Sequence, residues 1–144
     1  MFRSSLAVFG LLVFASAGAL ADDKDLKALD GTWIPQSGEL GGSKFPDEIL
    51  KKIELVTKDG KYTVTADKQV DKGSIKIDAA KKPKHMDIVG GEGPNKGKTF
   101  PAIYEIDGDI LKICYDLSGK ERPKEFKTAS GTMTLLIVYK KAKQ

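Results

Sequence analysis

From Gly31 onward the chain is a series of short runs rich in β-branched and aromatic residues, each ended by a turn signal. Nowhere in it does a helical period persist beyond a couple of turns. The runs are "TWIPQSGEL", "KIELVT", "KYTVTA", "GSIKIDA", "KHMDIV", "TFPAIYEI", "DILKICYD", "EFKT" and "TMTLLIVYKK". Asp59-Gly60 and Asp107-Gly108 each separate two of them, as aspartate-glycine pairs do in two-residue hairpins. A Ser130-Gly131 turn precedes the last run. About eight to ten short strands at even spacing predict an antiparallel meander, hence a barrel or a sandwich. A single closed β-barrel from about Gly31 to Lys141 is the expectation carried forward.

Alternation supports closure around a core. In "DILKICYD", Leu111, Ile113 and Tyr115 share one face, while Ile110, Lys112 and Cys114 share the other. In the last run Met133, Leu135, Ile137 and Tyr139 oppose Leu136 and Val138. Being apolar on both faces, that strand must be central or covered from outside, with the one internal helix as a possible cover. That helix is expected at "FPDEILKKI", with Pro46 in its first turn, Asp47 and Glu48 at its start and Lys51 and Lys52 at its end. "DKDLKALDGTW" can hold a further short helical turn before Gly31.

The N-terminus sets the compartment. Arg3 is a short positive region, Leu6 to Ala17 an apolar core, and Ala19-Leu20-Ala21 a small-x-small cleavage site before an acidic stretch. Such a core falls short of the roughly 20 apolar residues a membrane span needs. Residues 1–21 therefore predict a cleaved signal peptide, residues 22–30 a lead-in and residues 31–144 the barrel domain. The expected location is exported, periplasmic or extracellular, with no integral membrane segment after cleavage. Without a cysteine near the cleavage site, a lipid anchor is not expected either.

Cleavage leaves 123 of the 144 residues, enough for one domain with its own core. Arg3 is the only charged residue removed, so the formal charge of +4 falls to +3. Arg122 is then the sole arginine, and lysines alternate with acids along the chain, as on a solvated surface. Nucleic-acid readers rely on arginine for bidentate contacts, so no nucleic-acid partner is expected. Cys114 is the only cysteine, which leaves an exported chain without an internal disulfide and the fold resting on its apolar core. Within its strand Cys114 is read as a small buried residue, not a reactive thiol.

"GGEGPNKGKTF", residues 90–100, imitates a phosphate-binding loop and fails on two counts. Glu92 occupies the slot where G-x-x-x-x-G-K-[ST] requires its first glycine, and Phe100-Pro101 cannot open the helix that must follow. The stretch is read as a wide connection between strands, with Lys96 and Lys98 at a rim. His85 is the only histidine, and a zinc site or a Ser-His-Asp triad built on it would need carboxylates that no spacing places beside it. Asp107-Gly108-Asp109 lacks the spaced oxygens of a calcium loop. No cofactor, metal or catalytic residue is expected, and no spacing announces an enzyme.

Taken in order, "KPKHMD" (residues 82–87), "GPNKGKT" (93–99), "YEIDGD" (104–109) and "GKERP" (119–123) resemble an uncharacterised small-domain family known chiefly from planctomycete bacteria and described as lipocalin-like. The resemblance spans about Leu29 to Lys141 and departs at Pro101-Ala102, where the family often carries an apolar residue and glycine. It implies a lipocalin-like barrel, with no established activity and no catalytic residues to carry over. Gly31-x-Trp33 also resembles the lipocalin opening motif, in which the tryptophan plugs the closed end beneath an arginine. Here Lys140, Lys141 or Arg122 would have to serve as that cover. Trp33 and Cys114 are thus structural positions, and Lys96, Lys98 and Arg122 candidate rim or interaction residues.

Two functions fit such a barrel. One is a binding module for a small apolar ligand, the other a protein-interaction or structural domain with a filled barrel. A cavity of several hundred cubic ångströms lined by Ile, Leu, Val and Tyr would favour the first. An exposed apolar patch or a protruding loop without a cavity would favour the second.

Overall fold

The computed structural model describes residues 17–143. The positive region and most of the apolar core read as a signal peptide lie outside the described residues. The chain runs α1 (Ala17–Leu29), β1 (Gly31–Leu40), β2 (Ser43–Lys44), α2 (Asp47–Leu50), β3 (Ile53–Lys58), β4 (Lys61–Ala66), β5 (Gln69–Asp78), β6 (Lys84–Glu92), β7 (Thr99–Asp107), β8 (Ile110–Asp116) and β9 (Thr134–Lys141). From β3 onward each strand pairs antiparallel with the next. β1 pairs with both β3 and β9 and closes the sheet into an eight-stranded barrel. The two-residue β2 is a spur on the far end of β1.

The expected hairpins form, one of them a residue later than its sequence signal. At Asp59-Gly60 both central residues have positive φ, 50° and 76°, as a type I′ turn needs. In the β7–β8 hairpin Asp107 instead pairs with Ile110, so the two loop residues are Gly108 and Asp109. Gly108 has φ 60° and Asp109 is not left-handed, which places glycine first, as in a type II′ turn. The run "EFKT" forms no strand, and Met133, 53 % exposed, lies outside β9 and out of the core. Both belong to a long β8–β9 connection.

That connection covers the outer face of β7 and β8. Ile103 and Cys114 point outward from β7 and β8, opposite each other in register, yet are essentially inaccessible to solvent. The Cys114 thiol approaches the Lys127 carbonyl at 3.7 Å. Arg122 pins the same segment, donating to the carbonyls of Met86 (3.0 Å) and Ala102 (2.8 Å) and pairing with Asp87 at 2.6 Å. At the start of the connection the Asp116 carboxylate accepts from the Ser118 hydroxyl and from the amides of Ser118, Lys120 and Glu121.

α2 is a single turn with Pro46 as its N-cap, outside the helix, and Lys51 as its C-cap. It fills the gap between the end of β1 and the start of β3, where Phe45 and Leu50 occupy the space above Gly38. β1 accommodates Pro35 beside a bulge at Gln36, beyond its last pair with β3, where a missing N–H costs no ladder bond to that strand. Pro101 sits similarly in β7, paired with Asp87 of β6 and before the first β7–β8 pair.

The second helix, α1, is longer than the expected turn and runs across the expected cleavage point after Ala21. The part from Asp22 is held to one end of the barrel by polar contacts. Asp22 accepts from the Ala79 amide at 2.7 Å, and Asp25 accepts from the Tyr104 hydroxyl at 2.7 Å and the Lys84 ammonium at 2.8 Å. Leu29 is buried beside them, so this helix, not a row of apolar residues, closes the barrel. Trp33 lies directly beneath, 0 % exposed, its indole N–H donating to the Leu29 carbonyl at 2.8 Å. The Lys141 ammonium stands 5.4 Å from the ring centroid and reaches the Ala28 carbonyl at 3.5 Å. Lysine thus holds the covering place, and Arg122 stands on the outer wall.

Candidate functional site

The inward faces of β3 to β9 do not fill the barrel. They leave a cavity of about 340 Å³ that opens at the end opposite α1. Its depth is lined by Leu55, Ile75, Met86, Ile113 and Tyr139, its middle by Tyr62, Val64, Ile88, Phe100 and Tyr115, and its mouth by Ala66, Gln69, Asp71, Pro94, Asn95 and Leu117. Period-2 alternation puts these side chains inside, as in Tyr62-Val64-Ala66 on β4 and Gln69-Asp71 on β5. The lining is mostly apolar, with polar groups gathered on one side of the mouth.

Those polar groups converge on Asp71. Its Oδ2 accepts from the Asn95 side-chain amide at 2.8 Å and from the Tyr62 hydroxyl at 3.4 Å. Oδ1 is shielded from solvent and has no hydrogen-bond partner among the described residues. No described lysine or arginine comes within 4.0 Å of the carboxylate. Burial, followed by the charge of Asp71 and its hydrogen bond, pushes the Tyr62 phenol up to about 12. Burial also raises Tyr139, and raises Tyr115 with smaller contributions from its neighbours, so all three phenols stay protonated at neutral pH.

Two glycines make this arrangement possible. Gly73 and Gly90 face each other across β5 and β6. A Cβ on Gly73 would strike the Val89 carbonyl and the Tyr62 ring, and a Cβ on Gly90 would overlap the Asn95 carbonyl. The missing side chains let Tyr62 lean toward Asp71 and let the loop of residues 93–98 fold over the mouth. The loop is tied down by Gly90 N–H donating to the Lys98 carbonyl (2.9 Å) and Gly97 N–H to the Gly90 carbonyl (3.1 Å). This is the stretch that imitates a phosphate loop. It leads into strand β7, not a helix, so its amides spend themselves on the turn and no helix terminus faces an anion.

Of the residues singled out in the sequence, Lys96 and Lys98 are exposed on this loop, on either side of Gly97, while Asn95 is the loop residue that reaches Asp71. Arg122 lies away from the mouth, on the outside of β6 and β7. Cys114 faces outward beneath the β8–β9 connection, where burial raises its thiol above the ordinary value and the Lys127 backbone contact offsets part of the rise. His85 is half-buried on β6, and burial, then the charges of Arg122 and Lys81, lower it. Among the described residues no three His, Cys, Asp or Glu side chains gather as a metal site, and no described helix is long and apolar enough to cross a membrane. Tyr62, Asp71 and Asn95 escaped the sequence reading. The one signal that could have found them was an acid at an inward position of an alternating strand.

Fold and cavity together define a small antiparallel β-barrel whose interior is closed at one end by a helix and open to a pocket at the other. No protein-family model matches the chain, and no curated protein or solved structure is significantly similar to it.

Proposed function

We propose that this protein is an exported binding module that takes a small, largely apolar ligand into the open end of its barrel. The observation that carries this reading is the cavity of about 340 Å³, at the lower end of the roughly 300–1,000 Å³ range of small-molecule sites. At about 30 Å³ per water-sized group, it accommodates on the order of eleven non-hydrogen atoms. The same cavity favours ligand binding over a protein-interaction domain with a filled barrel. Export rests on the N-terminal pattern and is supported by the contacts of Asp22 and Asp25, which keep the helix docked in a chain beginning at Asp22. The closed barrel and the buried Trp33 under Lys141 support the lipocalin-like reading.

Native mass spectrometry of protein purified from its own organism, followed by calorimetric titration with indole as a neutral apolar probe, tests the proposal. A retained small molecule or saturable indole binding is expected. Ala66→Phe, which fills the mouth, should abolish the binding without loss of the fold. Failure of wild-type protein to bind indole, with nothing retained, refutes the reading. N-terminal sequencing of the exported form checks the start at Asp22.

A further inference from the structure

Resting on that reading, the inference concerns what sort of apolar molecule the cavity takes. Asp71 is half-buried at the mouth of an apolar pocket, and a carboxylate with one oxygen shielded from water there calls for charge compensation or a full set of hydrogen bonds. Asp71 has neither. Two neutral donors meet one oxygen, one of them at a long 3.4 Å, and the other oxygen is orphaned although a carboxylate can accept about four bonds. Buried polar atoms in folded proteins are almost always paired, so an unpaired carboxylate oxygen in a cavity wall calls for an explanation. The second buried orphan, the Thr57 hydroxyl, lies outside the cavity lining and is neutral.

We infer that the ligand is an apolar amine, its ammonium group paired with Asp71 at the mouth and its hydrocarbon or aromatic body lying among the side chains below. An ammonium supplies both things Asp71 lacks, a positive charge and hydrogen-bond donors. Charge-assisted bonds of this kind are roughly twice as strong as neutral ones. Asp71 lines the cavity mouth, with Oδ1 close to Gly93 and Oδ2 held by Asn95 and Tyr62, so an ammonium at the mouth meets the carboxylate without displacing a cation. Tyr62, Tyr115 and Tyr139 add ring faces, which attract cations, and their protonated phenols bring no competing negative charge. Neutral ligands of the same shape would leave Asp71 as it is, and carboxylates would be repelled by it.

The test titrates the mature protein with 2-phenylethylamine, with its neutral counterpart 2-phenylethanol and with the anion 3-phenylpropanoate. The amine should bind about tenfold or more tighter than the alcohol, the gain expected of one desolvated charge-assisted contact. The anion should bind weakest. Asp71→Asn keeps the shape of the side chain and removes its charge. It should bring the amine down to the level at which the same variant binds the alcohol. Should that variant fail to fold, the wild-type ranking alone decides. An alcohol that binds as tightly as the amine, or an amine that binds Asp71→Asn undiminished, overturns the inference and leaves the cavity reading intact. Absence of binding by amine, alcohol and indole alike overturns both.

Discussion

Trp33→Ala tests the closed end of the barrel. The wild-type ring is wholly inaccessible, bonds the last carbonyl of α1 at 2.8 Å and lies under the Lys141 ammonium at 5.4 Å. Truncating a large aromatic in a packed core costs about 3–5 kcal/mol. The stranded Leu29 carbonyl alone costs about 1–3 kcal/mol when it cannot rehydrate, and the cation–π contact contributes about 0.5–1 kcal/mol. The last two overlap with the first, so the whole effect should lie near about 4–5 kcal/mol, a large part of the roughly 5–15 kcal/mol that holds a domain together. Trp33→Phe keeps most of the packing and loses the N–H, for an expected cost of about 1–2 kcal/mol. Trp33 is the sole tryptophan, so unfolding in urea should be followed by far-UV circular dichroism and not by its fluorescence. The midpoint should fall with an unchanged slope. A loss below about 1 kcal/mol for alanine would show that the closed end does not depend on this ring, against the truncation range used here.

The remaining predictions concern the outer wall and the loop. Cys114 should react slowly with a thiol reagent in native protein and quickly after denaturation. Arg122→Ala, which unpins the covering segment, should speed native labelling, and equal rates in the two proteins would refute the covering role. Cys114→Ser should cost only about 1 kcal/mol, because the new hydroxyl can donate to the Lys127 carbonyl. For Asp116, burial works to raise the carboxyl, and the donors of Ser118, Glu121 and Lys120 outweigh it, so the folded value lies below the ordinary one. The stabilisation is therefore present above about pH 4 and lost as pH falls through the depressed value. Asp116→Asn should destabilise at pH 7 by about 1 kcal/mol and converge with wild type in acid, and a difference independent of pH would contradict this. Lys98→Ala should leave the thermal midpoint nearly unchanged, since only its backbone ties the loop, and calorimetry should show no binding of ATP or GTP with magnesium. Micromolar nucleotide binding lost in that variant would reverse the assignment.

By itself the sequence determined what depends on near neighbours along the chain. Period-2 alternation placed Leu111, Ile113, Tyr115, Leu135, Ile137 and Tyr139 on the inner face, and turn chemistry placed the hairpins to within a residue. The helix of residues 17–29 was legible only as a short turn, because the face it buries carries Asp22 and Asp25 ahead of Leu29. Aspartates at that spacing read as a solvated surface until Ala79 for Asp22, and Lys84 and Tyr104 for Asp25, all far along the chain, supply their partners. Residues 117–133 looked like a strand and a loop. Their covering role depends on Arg122 finding carbonyls on two strands already assembled. The cavity is the clearest case. Whether eight strands leave a void is set by how side chains from seven of them meet across the barrel, and Asp71 is remote in sequence from Asn95. Only the closed tertiary structure brings that carboxylate, its two neutral donors and an apolar pocket together, because the distances that matter there are set by strand register and closure, not by spacing along the chain.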